Sequence, residues 1–248
     1  LKEQGIEFID PFFKDNKAKL ASNQEIVARV IKRIGPNQLH GKKVLIIGGS
    51  TEEAIDDVRC LTNKSSGKTA VLLAKNAFFN GATISFWYGP SNTSVPTFID
   101  MIRFTSLNDL KALITQTNLD TFDLIIVCAA LADFIPDKQK GKIDSSTKTI
   151  TIQAHAAEKM LPLIRKHAPS STIIGFKLAE TKEQAIKKAK NLQSKFSLDA
   201  IVANTIESLG SSTQSIWIVD QTEKMPSFEG SKEEVTNKVI SYLSTVMS

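Results

Sequence analysis

The segment Asn63-Lys64-Ser65-Ser66-Gly67-Lys68 carries the densest chemistry in the chain. It stands just before an apolar helical stretch. Small residues let a backbone approach a ligand, and the free amides of a helix start favour anions. A serine-rich turn that merely caps the helix accounts for the same residues. The segment is not a P-loop, because Thr62 stands where the earlier glycine is required. Gly48-Gly49-Ser50-Thr51 ends an apolar run but does not extend into G-x-G-x-x-G. Lys138, Lys140 and Lys142 lie two apart, so an extended backbone would project them to one side. A solvated basic loop is the alternative. Asp133 follows the small-residue turn Ala129-Ala130-Leu131-Ala132, where it either holds a ligand or caps the turn. His40, His155 and His167 have no metal-ligand spacing, and neither Cys60 nor Cys128 has a histidine nearby in sequence. No Ser/His/Asp pattern emerges.

The residues around these segments predict the elements that position them. Val44–Ile47, Thr83–Trp87, Leu124–Cys128, Thr172–Phe176 and Ala200–Ala203 read as strands. Continuous apolar runs of this kind fit strands buried on both faces of a parallel sheet. Ser215–Val219 reads as an edge strand. Helices are expected over 67–80, stopped by Gly81, and over 106–117. Another follows Thr181 with Gln184, and a last one follows Ser231 with Glu234. The alternation predicts an α/β fold with a doubly wound, mainly parallel, Rossmann-like sheet. Ligands of such sheets sit beyond the carboxyl ends of the strands. Three ends are chemically loaded: Gly48–Thr51, Ala129–Asp133 and Asn204-Thr205. Gly141–Gln153, with its Thr149-Ile150-Thr151-Ile152 alternation, predicts an extended β flap.

Residues 1–40 read as a tail or linker with one helix. Gly5–Pro11 is strand-like. Ser22 and Glu25 suggest a capping box, and Ile26, Val27, Val30 and Ile31 form a helical stripe ended by Gly35-Pro36-Asn37.

The 248 residues fit one doubly wound sheet. Hydrophobic residues at 42% and charged residues at 23% exclude a disordered or collagenous chain. The net charge of +5 suits anionic small molecules and is too weak to argue for nucleic acid. Two cysteines exclude a disulfide scaffold, so a reducing cytoplasm is the expected compartment. No apolar run approaches the ~18 residues of a membrane helix, so no membrane partner is expected. The chain starts at Leu1 and not Met, which predicts a piece of a longer polypeptide.

Asp56-Asp57-Val58-Arg59-Cys60-Leu61-Thr62-Asn63-Lys64-Ser65-Ser66-Gly67-Lys68 resembles the D-P-V-R-x-I-(S/T)-N-x-S-S-G-K signature of the phosphopantothenate–cysteine ligase family. Four further blocks agree in order and spacing: Gly48–Glu53, Cys128–Phe134, Ile174–Lys177 and Leu198–Asn204. The resemblance covers about residues 42–246, implying a ligase domain over 41–248. Phe8–Pro11 and Lys19–Val27 resemble the end of the flavin-dependent decarboxylase domain that precedes this ligase in bacterial and archaeal fusions. FMN is implied only if that domain is present.

The resemblance implies two chemical steps in coenzyme A biosynthesis. CTP, or ATP, activates the carboxylate of 4′-phosphopantothenate as an acyl-nucleotide, releasing pyrophosphate. The amine of cysteine then displaces the nucleoside monophosphate. Mg²⁺ would bridge the phosphates. Carboxylate attack on a triphosphate brings several anions together, so cations and preorganised donors matter more than a protein nucleophile.

Carried over by resemblance, Asn63 holds the reacting carboxylate and the acyl-nucleotide. Ser65 and Gly67 form the phosphate-binding turn, and Gly49 belongs to the first loop. Ala129, Ala130 and Asp133 contact phosphopantothenate and nucleotide. Lys142 matches the first lysine of the K-I-K-K flap motif. Phe176, Lys190, Lys195 and Asn204 match nucleotide-binding positions. Arg59 matches the arginine that reaches the neighbouring subunit's substrate, implying a homodimer.

The sequence departs from the family pattern in residue type at four places, and in spacing at two, since Lys195 sits one residue further from Leu198-Asp199 and the Phe176–Thr181 segment is one residue longer. Glu52 replaces an arginine of the first loop, and Ala70 a glycine whose loss is expected to crowd the phosphates. Only Lys142 of the flap motif survives, and Ala156–Met160 replaces a K-N-P-D-I or P-T-P-K-I segment. These changes keep a catalytically weakened or regulatory homologue as the alternative. A nicotinamide-dependent oxidoreductase lacks its glycine fingerprint here.

Overall fold

The computed structural model describes residues 6, 8–146, 148–222 and 224–247. The strand expected over Gly5–Pro11 is not formed by residues 6 and 8–11, and Gly5 and Glu7 lie outside the described residues. A hairpin follows instead, β1 (Phe12–Lys14) and β2 (Lys17–Lys19), turning on Asp15 and Asn16 with φ of 52° and 58°. Asparagine and aspartate tolerate that left-handed backbone.

Helix α1 (Asn23–Ile34) is capped by Ser22, whose hydroxyl accepts from the Glu25 amide. The capping box is only half made, because the Glu25 carboxylate turns to Arg29. Ala28 is buried, and Lys32 stacks on Phe78 and donates to the Ala82 carbonyl at 2.8 Å. The predicted stripe faces mostly outward: Val27, Val30 and Ile31 are exposed and only Ile26 is half-buried. Residues of the expected tail nevertheless join the core, since Leu39 is fully buried and its amide donates to the Asn80 carbonyl.

Strand β3 (Lys43–Gly48) is buried from Val44 onward. A hairpin of β4 (Glu52–Ala54) and β5 (Cys60–Thr62) leads to α2 (Lys68–Phe79). Val71, Leu72, Ala74 and Phe78 of α2 are buried as the periodicity predicts. Gly81, at φ +94°, ends the helix, and β6 (Thr83–Tyr88) pairs parallel with β3. The short edge strand β7 (Met101–Arg103) has no sequence signal, being three exposed residues long. Helix α3 (Leu107–Gln116) carries the complete Ser106–Asp109 capping box.

Strand β8 (Leu124–Val127) is wholly buried and pairs with β3. The antiparallel ribbon β9 (Phe134–Pro136) and β10 (Ala154–Ala156) supports the 137–153 loop. The predicted flap is this loop. Its Thr149–Ile152 alternation forms no strand, and Thr147 lies outside the described residues. Helix α4 (Met160–His167), β11 (Thr172–Ala179), α5 (Lys182–Phe196) and β12 (Ala200–Thr205) continue the alternation. Then β13 (Thr213–Asp220) and β14 (Ser227–Ser231) precede α6 (Lys232–Val246), which carries the Ser231–Glu234 capping box.

The central sheet runs β14-β13-β12-β11-β8-β3-β6-β7. The six strands from β12 to β7 are parallel, and β13 is antiparallel to both its neighbours. Ser215–Val219 is therefore not an edge, because β14 covers it. One core lies under α1, α2 and α6, the other under α3, α4 and α5. All parallel strands deliver their carboxyl ends to one rim.

Candidate active site at the strand ends

The loop after β3 is held by its neighbours on both sides. Gly49 has φ +83°, and a Cβ there would lie 2.6 Å from the Gly89 carbonyl oxygen. No other residue fits that approach. Ser50 donates through its amide and hydroxyl to the Pro90 carbonyl. Thr51 is fully buried, and its hydroxyl accepts from the Ala132 amide at 3.0 Å. The Ala130 amide donates to the Gly49 carbonyl at 2.8 Å. The turns after β3 and β8 are thus one unit.

Asn63 completes it. Its Nδ2 donates to the Ala130 and Leu131 carbonyls at 3.1 and 3.0 Å, while the residue stays exposed. The amide side chain is aimed and still reachable. Two residues on, the Ser65 hydroxyl accepts from the Gly67 amide only at 3.4 Å. Gly67 takes φ +73° at the N-cap of α2 and offers no side-chain cap. A Cβ there would meet the Tyr88 hydroxyl at 2.1 Å. The Lys68 amide is held as loosely, donating to the Ser66 hydroxyl at 3.4 Å, so the start of α2 beside Asn63 carries only long side-chain contacts, the arrangement that suits an anion.

Ala70 does not crowd this turn, contrary to the expectation from its replacement of a glycine. It is 2% exposed and packs inward against Gly48, where an added Cβ would lie 2.1 Å from the Ala70 Cβ. Glu52 sits half-buried on β4, its amide bonded to the Thr105 carbonyl. The neighbouring Glu53 is structural: it is buried and accepts from the first amide of α3 at 2.9 Å.

Arg59 and Lys142 meet through a carboxylate that the sequence reading left without a role. Asp56 is 2% exposed and accepts from the amides of Val58, Arg59 and Ile143 and from Arg59 Nη1. Arg59 Nη1 also donates to the Ile143 carbonyl at 3.3 Å. Asp57 accepts from the Gly141 amide and pairs with Lys138. Lys142 is thus exposed, with its two backbone neighbours pinned to Asp56 and Asp57. The Ile143 amide above all, then the Val58 and Arg59 amides and the Arg59 guanidinium, hold the Asp56 carboxyl well below the usual carboxylate range against the opposing effect of burial. Within one chain, Arg59 engages its own Asp56 and flap.

Asp133 is exposed and forms an ion pair with Lys159. Lys159 lies in the segment that departs from the family pattern, so it was missed. Only the pairing of β9 with β10 reveals that it faces Asp133. Phe176 is partly buried in the second half of β11, and Asn204 is the penultimate residue of β12, with its Nδ2 donating to Ser208 Oγ. Lys190 and Lys195 do not join these groups. Helix α5 leaves the loaded rim and runs back toward the start of β12, about 1.5 Å per residue. Lys195, in its last turn, stands at the opposite rim, and Lys190 part of the way there. Burial pushes the Cys128 thiol up to about 12, which disfavours the thiolate that a nucleophile needs.

Among the described residues, no group of three His, Cys, Asp or Glu side chains gathers to hold a metal ion. No helix among the described residues is long and apolar enough to cross a membrane.

The DNA/pantothenate metabolism flavoprotein C-terminal domain matches residues 39–247. The chain is 35% identical, over 91% of its length, to the "Coenzyme A biosynthesis bifunctional protein CoaBC" of Thermococcus kodakarensis. It is 31% identical, over 97% of its length, to the protein of the same name in Methanocaldococcus jannaschii. The chain spans 57% and 60% of these two relatives. The DNA/pantothenate metabolism flavoprotein of Streptococcus pneumoniae has the same fold, with a TM-score of 0.74 at 20% identity, covering 83% of this chain and 99% of that one. With the match running from the buried Leu39 through α6, the chain belongs to the family of the DNA/pantothenate metabolism flavoprotein C-terminal domain.

Proposed function

We propose that the chain joins 4′-phosphopantothenate to cysteine in coenzyme A biosynthesis, driven by a nucleoside triphosphate, CTP in preference to ATP. The observation that carries this reading is the union of Asn63, the Ser65–Gly67 turn and the Ala129–Asp133 turn at one rim. The family membership and the name of the T. kodakarensis relative support it.

In the first step a carboxylate oxygen of phosphopantothenate bonds to the α-phosphorus, and the bond to the bridging oxygen breaks as pyrophosphate leaves. In the second, the cysteine nitrogen bonds to the acyl carbon. The nucleoside monophosphate departs with the electron pair, and the nitrogen loses a proton. Asn63 donates to the reacting carboxylate. The amides opening α2 and the Lys142 ammonium offset phosphate charge, and Ala129, Ala130 and Asp133 shape the floor. Phe176 and Asn204 lie along the nucleotide. Mg²⁺ belongs to this reading as the ion that offsets triphosphate charge; with no cluster of three such side chains among the described residues, the phosphates and at most one or two carboxylates would hold it. A homodimer in the cytoplasm, with Arg59 turned toward the partner's substrate, completes the proposal.

The test is pyrophosphate release, run separately with CTP and ATP. The expected result is release that requires phosphopantothenate, with phosphopantothenoylcysteine formed once cysteine is added, and faster with CTP. No release with either nucleotide would leave the weakened or regulatory homologue standing.

Lys142→Ala should lower turnover by about 10², the typical cost of one charge-stabilising donor. The melting temperature should stay unchanged, because the side chain is exposed and carries no ion pair among the described residues. Parallel losses of rate and folded protein would argue against a role on the phosphates.

A further inference from the structure

The loop that follows β6, residues 89–93, packs behind the signature loop and grips it at one atom. Tyr88 is fully buried at the end of β6, its ring stacked on Phe86 at 4.7 Å between centroids. Its hydroxyl donates to the Thr93 carbonyl at 3.1 Å. Thr93 is half-buried and donates twice to a single acceptor, the Ser66 carbonyl. Its amide does so at 3.2 Å and its hydroxyl at 2.6 Å. A carbonyl oxygen has two lone pairs and can take both. The other end of the signature loop is held in the same manner, since the Thr62 hydroxyl donates to the Thr51 carbonyl at 2.7 Å. Asn63, Ser65 and Gly67 thus lie on a loop clamped at both ends by threonine hydroxyls.

The grip on Ser66 decides where the next amide points. A planar trans peptide directs its C=O and its N–H to opposite sides, and none of the described peptide bonds is cis. With the Ser66 carbonyl held on the 89–93 loop, the Gly67 amide is turned away from that loop. Among the described residues it meets only the Ser65 hydroxyl there, at 3.4 Å. Nothing local would keep it so. Glycine places little steric restraint on the peptide before it, and the exposure of Ser66 offers its carbonyl water as another partner. The 89–93 loop, by contrast, keeps its place without the Thr93 hydroxyl. The Pro90 carbonyl accepts from the Ser50 amide and hydroxyl, and Tyr88 holds the Thr93 carbonyl. The Thr93 hydroxyl therefore acts on the signature loop more than on its own.

We propose that Thr93 is a positioning residue of the candidate active site: by holding the Ser66 carbonyl, its hydroxyl keeps the Gly67 amide turned toward a phosphoryl group of the ligand. This deepens the ligase reading, on which it rests only for the identity of the ligand. The phosphoryl group belongs either to the nucleoside triphosphate or to the phosphate ester of the acid substrate. A peptide already turned need not be ordered on binding, so the hydroxyl raises affinity without touching the ligand.

The experiment titrates inorganic pyrophosphate, and separately 4′-phosphopantothenate, into the protein by calorimetry without turnover, and pairs each titration with a thermal melt. Thr93→Val deletes the hydroxyl at nearly constant shape and keeps the backbone amide. It should bind the ligand seated on the turn about three- to tenfold more weakly, the effect of one neutral hydrogen bond. Its melting temperature should stay close to that of wild type. Thr93→Ser, which keeps a hydroxyl, should bind as wild type does. The source is the ligand whose affinity falls in Thr93→Val: pyrophosphate for the nucleotide, 4′-phosphopantothenate for the ester. Unchanged affinity for both in Thr93→Val overturns the proposal, as does a wild-type protein that binds neither. Binding as weak in Thr93→Ser as in Thr93→Val also overturns it, since the hydroxyl would then not be what acts. So does a Thr93→Val protein that melts well below wild type or fails to fold, since the hydroxyl would then be structural. Binding weakened in Thr93→Val and restored in Thr93→Ser, in a protein that makes no phosphopantothenoylcysteine, keeps the positioning role and removes the ligase reading. Unchanged binding in Thr93→Val of an active ligase does the reverse.

Discussion

Asn63→Ala is expected to lower turnover by about 10²–10³ while leaving the fold in place. The Asn63 amide stands between the signature loop and the turn after β8, bonded to two carbonyls in an exposed position. Those bonds orient it but contribute little stability, because water replaces them on mutation. Exposed hydrogen bonds of this kind are worth about 1 kcal/mol each, or a few degrees of melting temperature in a chain of this size. The rate effect is larger because the donor meets developing charge in a preorganised setting. Turnover numbers and melting curves of the purified variant decide the matter. Near wild-type turnover would remove Asn63 from the chemistry.

Asp56→Asn is expected to lower both activity and stability, and the stability loss should depend on pH. One oxygen of Asp56 accepts from Val58 and Arg59 amides, the other from Arg59 Nη1 and Ile143. An amide side chain can keep one set and turns donors toward the other. The flap backbone around Lys142 then loses an anchor, so turnover should fall by at least about tenfold through misplaced charge. Because the folded Asp56 carboxyl titrates below its unfolded value, its contribution to stability is present above about pH 4. It is lost as pH falls further, through the depressed folded value. The melting-temperature gap between wild type and Asp56→Asn should therefore be full at pH 7 and narrow below about pH 4. A gap independent of pH would mean that the ionised carboxylate is not what holds the flap.

How much of this was legible beforehand differs from residue to residue. The buried strands β3, β8 and β12 announce themselves as unbroken apolar runs, and α3 and α6 by their caps. Strands β7 and β14 escaped because short or mixed segments pair through their backbones, which leaves little trace in side-chain type. The stripe on α1 was legible as a stripe, but not the direction it faces. That depends on Phe78 and Ala82, which draw Lys32 to the inner side.

What the sequence by itself determined is therefore local: the alternation of elements, the loaded strand ends, and the signature that places Asn63, Ser65 and Gly67 within five residues. Periodicity, capping and backbone freedom act over one or two turns, so they can be read without the fold. Tertiary structure alone decided which distant charges meet. It set Asp56 against the flap backbone at Ile143, and Asp133 against Lys159. It also removed Lys195 from the rim, through the direction of α5. Charge interactions and burial depend on spatial distance and on what excludes water, and sheet order and helix direction control both.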